Sequence, residues 1–378
     1  MAELIQTGGP MRAAVLYEAQ TPMTIEEVSI DGPRDDEVLV QVRATGACHS
    51  DYHVIDGSWN GVGHPFPVIL GHEAAGIVEN VGADVTSVKA GDHVILSFAP
   101  NCGRCRMCTI GQPQLCSGMR SAPGTFPDGT RRHRRGDVEL NSFGRGMSSF
   151  AEYSLVHQSA AIKIAPEMPM EGAALIGCAV MTGVGAVLNT AKVEPGSTVA
   201  VFATGGVGLS IVQGAVLANA SKIVAIDRLD NKLDYASSFG ATHTINSRQQ
   251  DPVEAIREIT DGQGVDYAFD AIGDSKVSRA CYDVVRRGGT AVIVGMAPTG
   301  SEISIPGTIA GDEKTVKGCF YGSSRPAVDF PRLVDFSLRG VLQLDRMVTR
   351  TYPLAEINAA FDALARGDNA RGLLMPTS

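Results

Sequence analysis

Residues 197–227 read STVAVFATGGVGLSIVQGAVLANASKIVAID. The opening run is almost wholly apolar, as in a strand covered on both faces of a parallel sheet. It leads into Ala203-Thr204-Gly205-Gly206-Val207-Gly208, after which a helical period runs from Val207 to Ala218. A second apolar run ends in Asp227, nineteen residues past Gly208. In such a unit the glycines allow a tight turn and close backbone approach to a pyrophosphate, which the helix N-terminus faces with free N–H groups and partial positive charge. The acid ending the next strand is placed to accept hydrogen bonds from an adenosine ribose, so the pattern favours NAD over NADP, whose 2′-phosphate it repels. Gly205, Gly206, Val207, Gly208 and Asp227 are therefore expected to bind cofactor, and Arg228, next to Asp227, is a cation that could meet a 2′-phosphate and so counts against the NAD reading. Ala203 stands where the first glycine is usual, which is tolerable if its φ stays below zero. The plainer alternative is an ordinary turn and a strand that happens to end in Asp227.

The same alternation continues outward. A helical stretch at 229–239 is followed by VDYAFDAIG (265–273) and TAVIVGM (290–296), so a doubly wound α/β nucleotide-binding domain is expected over 181–320. Before it the texture differs. From Met11 to about Ala90 short β-type runs are punctuated by turns, and Glu37 to Val42 alternates as a half-buried strand does. Residues 1–180 and 321–378 are expected to form a β-barrel-like domain, closed by a helix at 354–366 and the apolar run GLLM at 372–375. Ser117 to Ser149, rich in Gly, Arg, Ser and Pro, reads as an inserted surface loop.

A chain of 378 residues exceeds the roughly 250–300 over which one core grows, which also argues for two domains. A net charge of −9 disfavours nucleic acid and anionic membranes as partners. Its local exception, Arg131-Arg132-His133-Arg134-Arg135, reads as a solvated loop. No run of about 18 uninterrupted apolar residues and no secretory leader is present, and eight cysteines in such a chain suggest a reducing compartment, the cytoplasm.

Half of those cysteines sit in NCGRCRMCTIGQPQLC (101–116), at Cys102, Cys105, Cys108 and Cys116. Four thiols this close suit a closed tetrahedral Zn²⁺ site, with no open position for substrate. A catalytic zinc needs three protein ligands and an open place. Cys48, His72 and Cys178 are candidates, among Cys281, Cys319 and a first domain that also holds His49, His53, His64 and His93. Cys281 and Cys319 read as small buried hydrophobes.

At these residues the chain resembles the zinc-dependent alcohol dehydrogenases of the medium-chain dehydrogenase/reductase superfamily. GHEAAG (71–76) followed by Gly82, the four-cysteine lobe, Gly177-Cys178, and TGGVG followed by Asp227 occur in that family's order. The resemblance implies a GroES-like β-barrel catalytic domain joined to a Rossmann domain, with two zinc ions and NAD. It implies that Cys48, His72 and Cys178 hold the catalytic zinc, that Asp51 orients the histidine, and that Glu73 lies behind the metal. Ser50 and His53 match the family's proton relay, Thr182 and Arg371 its cofactor-binding positions, and His49 stands where many relatives carry a pyrophosphate-binding arginine. Trp59, Phe98, Met296 and Tyr321 fall near substrate-channel positions and are large and apolar. The function implied is reversible hydride transfer between NAD and a primary or secondary alcohol, and the apolar channel residues lead us to expect an apolar one of aromatic or allylic kind. The 117–149 segment resembles the longer loop of dimeric members, so a homodimer is expected.

Two rivals stand beside this reading. One is a glutathione-dependent formaldehyde dehydrogenase, whose adduct's carboxylates need cations such as Arg120 or the Arg131–Arg135 cluster. The other is a non-catalytic nucleotide-binding zinc protein.

Overall fold

The computed structural model describes residues 8–59 and 65–377, so His64 and the first seven residues lie outside the described residues. The chain divides into two compact units, one made of Met1–Cys178 with Arg325–Ser378, the other of Ala179–Ser324.

In the first unit five strands close a barrel in the order Gly8–Leu16, Thr24–Asp31, His133–Arg135, Val138–Ser142 and Val68–Ile69. Met11, Val28, Ile30, Leu39, Phe126 and Leu140 belong to one buried cluster. This corrects the reading of 117–149 as a loop, because its hairpin supplies two barrel strands. Ser29 pairs with Arg134 and Ile30 with His133, which puts charged residues into a sheet. Arg132 and His133 are fully buried while Arg134 and Arg135 face out. Arg132 survives burial because Glu37 and Asp128 each lie 2.7 Å from its guanidinium, and Phe126 packs under it at 5.0 Å. The others are paired too, Arg131 and Arg134 with Glu139 and Arg135 with Glu26.

Beside the barrel, strand Glu37–Gly46 pairs with Ala74–Val81, with Tyr153–His157 and, at its end, with Arg371–Met375. It is therefore a central strand, buried along almost its whole length, and not the half-buried one its alternation suggests. Glu37 is inside because it accepts the Arg132 pair.

The second unit holds six parallel strands in the order His243–Asn246, Lys222–Asp227, Thr198–Phe202, Val265–Asp270, Val285–Ile293 and Thr315–Gly318. Numbered along the chain this is 3-2-1-4-5-6, the dinucleotide-binding order, which reverses direction beside the strand that feeds the glycine loop. Val, Ile, Ala and Phe from neighbouring strands fill the layer against helices such as Pro252–Ile259 and Ser275–Val284. Both helices open on an aspartate, Asp251 and Asp274, whose side chain accepts from two backbone N–H groups of the first turn.

Among the described residues one helix, Met170–Ala191, reaches membrane-spanning length and apolarity (22 residues, mean hydropathy 1.7), although Glu171, Thr182, Asn189 and Thr190 interrupt its apolar run. Its window is 83% buried inside the protein, as the core helix of a globular fold is.

Candidate active site and nucleotide loop

Three elements of the first unit bring the predicted zinc ligands together. Cys48 is the N-cap of helix His49–Ile55, His72 precedes strand Ala74–Val81, and Cys178 lies in a π-helical turn, Ile176–Val180. A π-turn re-aims a side chain that a regular helix would point elsewhere. Gly71 has φ +96° and a Cβ there would meet Ser149 and Phe150 within 2.8 Å, so only glycine lets the chain turn His72 inward. All three residues are buried and their ligand atoms lie within 4.8 Å of one another, with Cys178 Sγ 3.3 Å from His72 Nε2. Around a tetrahedral zinc, sulfur at ~2.3 Å and nitrogen at ~2.1 Å stand about 3.6 Å apart, so the set fits that ion.

The other ring nitrogen of His72 is 3.2 Å from Asp51 Oδ1, which also accepts the Gly71 N–H at 3.0 Å. Asp51 is fully buried and thereby fixes the imidazole with Nδ1 protonated and Nε2 free to ligate. The hydrogen bond from Cys178 draws the Cys48 thiol well below its ordinary range against burial, and Cys178, as the donor, is pushed well up. Burial favours neutral His72, yet the charges of Asp51 and Cys48 carry it well above the usual histidine range. A site this rich in negative charge calls for a cation.

Two aromatic rings enclose the histidine. Phe143 stacks on it at 4.8 Å and Phe98 meets it edge-on at 5.5 Å. Phe98 is among the residues expected at the substrate; Phe143 is not, since the segment containing it reads as a loop. Of the remaining expected residues, Trp59 packs at 5.3 Å on the ring of His53. In the second unit Met296 is half exposed and Tyr321 buried.

Ser50 and His53 sit three residues apart on one helix, so they share a face. His53 Nδ1 is 2.8 Å from Ser58 Oγ, and His49 is exposed. Arg371 is buried and ion-paired with Glu73. Its expected pyrophosphate role thus competes with a bond inside its own unit.

The four-cysteine lobe forms a tight cluster. Sulfur separations are 3.6, 3.8 and 3.6 Å for the pairs Cys105–Cys108, Cys105–Cys116 and Cys116–Cys102. Four sulfurs at ~2.3 Å from one zinc stand about 3.8 Å apart. The N–H of Cys102 points at Cys116 Sγ and that of Cys105 at Cys102 Sγ. Backbone N–H groups, those of Cys108 and Ser117 first, draw Cys105 down to about 5, a thiolate ready for metal.

In the second unit Gly205 caps helix Gly206–Leu217, and a Cβ on Gly208 would lie 1.9 Å from the Ala203 carbonyl oxygen, so the helix packs on the strand only with glycine there. Ala203 does not keep φ below zero; it stands at +70°. The turn still demands the left-handed conformation, and the neighbouring bonds impose it on alanine. Thr204 donates its N–H and its hydroxyl to Asp227 Oδ2 at 2.7 and 3.0 Å, while Asp227 Oδ1 accepts the N–H groups of Arg228 and Leu229 at 2.7 and 3.2 Å. Asp227 is half-buried and Arg228 exposed. Thr182 is half-buried on helix Met181–Gly185. Two residues near the loop escape the motif, buried Thr204 and buried Lys232, whose carbonyl accepts the Thr204 hydroxyl at 3.2 Å.

Comparison with known proteins agrees with both halves. Residues 34–167 match the alcohol dehydrogenase GroES-like domain and 206–339 the zinc-binding dehydrogenase family. An S-(hydroxymethyl)glutathione dehydrogenase of Synechocystis sp. is 42% identical, covering 96% of this chain and 99% of its own. That of Saccharomyces cerevisiae is 40% identical over 97% of each. The crystal structure of benzyl alcohol dehydrogenase from Acinetobacter calcoaceticus superposes with a TM-score of 0.91 at 34% identity, covering 97% of this chain and 99% of that one. The chain belongs to the zinc-dependent alcohol dehydrogenases of the medium-chain dehydrogenase/reductase superfamily. It is an oxidoreductase whose cofactors are zinc and NAD.

Proposed function

We propose that this enzyme transfers a hydride between NAD and an apolar, aromatic or allylic primary or secondary alcohol, giving the aldehyde or ketone, at Cys48, His72 and Cys178. The observation that carries the reading is the buried triad whose histidine is fixed by Asp51 and walled by Phe98 and Phe143. These residues would hold zinc, whose Lewis acidity would bring the pKa of a bound hydroxyl group down toward neutrality. Ser50 would accept the proton of that hydroxyl while giving up its own, and His53, whose Nδ1 is tethered to Ser58, would carry the released proton to solvent. Phe98, Phe143 and Trp59 give an alcohol of matching shape an apolar wall and keep water from it. Glu73, beside the ligand His72, is neutralised by Arg371, which limits the negative charge behind the metal.

Gly205, Gly206, Val207 and Gly208 would hold the pyrophosphate, Asp227 the ribose of NAD, and Arg228, Thr182, His49 and Arg371 would complete the cofactor's surroundings. Cys102, Cys105, Cys108 and Cys116 would hold a structural zinc. A homodimer in the cytoplasm agrees with the resemblance of 117–149 to the segment of dimeric members and with eight cysteines that form no disulfide, and the acidic net charge disfavours nucleic acid and anionic membranes as partners.

The names of the Synechocystis and yeast relatives favour a second reading, oxidation of a hydroxymethyl-glutathione adduct. Here Arg131, Arg132, Arg134 and Arg135 are engaged by carboxylates, which leaves exposed Arg120 as the cation for the adduct. Initial rates of NADH formation with benzyl alcohol, ethanol, and formaldehyde with and without glutathione separate the two. We expect kcat/KM for benzyl alcohol to exceed that for ethanol. A clear preference for ethanol would refute the apolar reading, and formaldehyde oxidation that requires glutathione would replace it with the second.

A further inference from the structure

A cavity of about 200 Å³ opens in the second unit, and it is lined by Arg257, Arg286, Arg287 and Lys314 together with Asp283 and Asp312. Three parts of the fold converge on it: the last turn of helix Pro252–Ile259, the junction between helix Ser275–Val284 and strand Val285–Ile293, and the turn after helix Ile309–Asp312. It lies at the starting ends of the strands Val265–Asp270 and Val285–Ile293. The glycine loop follows the finishing end of Thr198–Phe202, where Phe202 pairs with Asp270. Six strand residues span roughly 20 Å, so the two places are separate.

The charges in this cavity do not cancel. Asp283 is held by Arg279, which is outside the lining, at 2.9 Å. Asp312 is 3.5 Å from Arg287, and Arg286 pairs at 2.6 Å with Asp266, also outside the lining. Lys314 Nζ donates to the Tyr282 carbonyl at 3.0 Å and lies 4.7 Å over the Tyr282 ring, and among the described residues no carboxylate forms an ion pair with it. Arg257 has no side-chain hydrogen bond or ion pair among the described residues. Lys314 is pushed below its ordinary range first by burial and then, against the pull of Asp312 and Asp283, by Arg257 and Arg279. Like charges crowded into a concave, partly desolvated place repel, and a bound anion relieves that repulsion.

We propose that this cavity binds a small multivalent anion carrying two or more phosphate or carboxylate groups. The volume decides the size, since pockets for drug-sized molecules run from about 300 to 1,000 Å³ and a second dinucleotide would not fit. The guanidinium of Arg257 and the ammonium of Lys314 are the two cations of the lining that no carboxylate pairs among the described residues, and they would grip separate anionic groups.

The test is calorimetric titration of the zinc-loaded enzyme, saturated with NADH to fill the nucleotide loop, using inorganic pyrophosphate in one arm and succinate in another. One site per chain is expected in at least one arm, weakened about tenfold or more in both Arg257→Gln and Lys314→Met. Binding of pyrophosphate alone assigns the site to phosphates, and binding of succinate alone to carboxylates; either supports the proposal. Retained NADH affinity shows that each variant is folded. Absence of binding in both arms up to about 10 mM, or equal binding by wild type and both variants, overturns it.

Discussion

Thr204 turns both of its donors toward one oxygen of Asp227, the N–H at 2.7 Å and the hydroxyl, which it shares with the Lys232 carbonyl, at 3.0 Å. The carboxylate that is to meet the ribose is thereby held by the loop that is to meet the pyrophosphate. Thr204→Val removes the hydroxyl but keeps the shape and the backbone bond. A lost hydrogen bond to a charged group is worth about 1.5–3 kcal/mol, so KM for NAD should rise roughly tenfold with kcat little changed, and the ratio of kcat/KM for NAD over NADP should fall. Steady-state kinetics with both cofactors checks this, and unchanged KM and ratio would remove Thr204 from cofactor recognition.

Asp51→Asn keeps an acceptor near His72 but takes away the charge that fixes Nδ1–H. Loss of such a partner costs about 10–100-fold in metal affinity. Dialysis against a mild chelator should strip one zinc from the variant before any leaves the wild type, with the four-cysteine zinc retained. Cys105→Ser should do the reverse, lowering folding yield and total zinc first. A fully folded Cys105→Ser protein that had lost only turnover would contradict this division.

Ala203 stands at φ +70°, a conformation that costs an L-residue about 1–2 kcal/mol. Ala203→Gly removes that cost and adds about 0.4–1 kcal/mol of unfolded-chain entropy. The expected outcome is a stability equal to wild type or up to about 1 kcal/mol higher, read from urea midpoints. A loss greater than about 1 kcal/mol would mean that the alanine methyl makes a contact of its own.

His133 is fully buried beside Arg132, and burial, followed by that charge, lowers it to about 4 from an ordinary 6.5. A base depressed in the folded state stays neutral there while the unfolded chain takes up a proton. Stability is therefore lost as pH falls from about 6.5 to about 4, by roughly 3 kcal/mol in all. His133→Leu should show a smaller fall in melting temperature between pH 7 and pH 5 than wild type. Equal falls would show that His133 does not contribute to acid sensitivity.

The nucleotide unit is legible in the sequence because its strands are continuous apolar runs and its loop needs glycines at fixed spacing. The four-cysteine lobe is legible because its ligands are close in sequence. Cys48, His72 and Cys178 are not, since three short elements deliver them and only the family resemblance singles them out. Arg132 and His133 mislead for a physical reason: a charged run reads as solvated unless the carboxylates that neutralise it are known, and Glu37 is 95 positions away. Ala203 misleads similarly, because local steric preference yields to the Thr204–Asp227 bonds and to the close approach of Gly208.

The pairing of Glu73 with Arg371 spans 298 positions of the chain. Cys48, His72 and Cys178 have all been synthesised by residue 178, whereas the guanidinium that neutralises Glu73 emerges from the ribosome almost two hundred residues later. Until then the carboxylate beside the ligand His72 lacks this counter-charge, and the central strand Glu37–Gly46 lacks its neighbour Arg371–Met375. A chain cut short before Arg371 would carry the three ligand residues without this counter-charge.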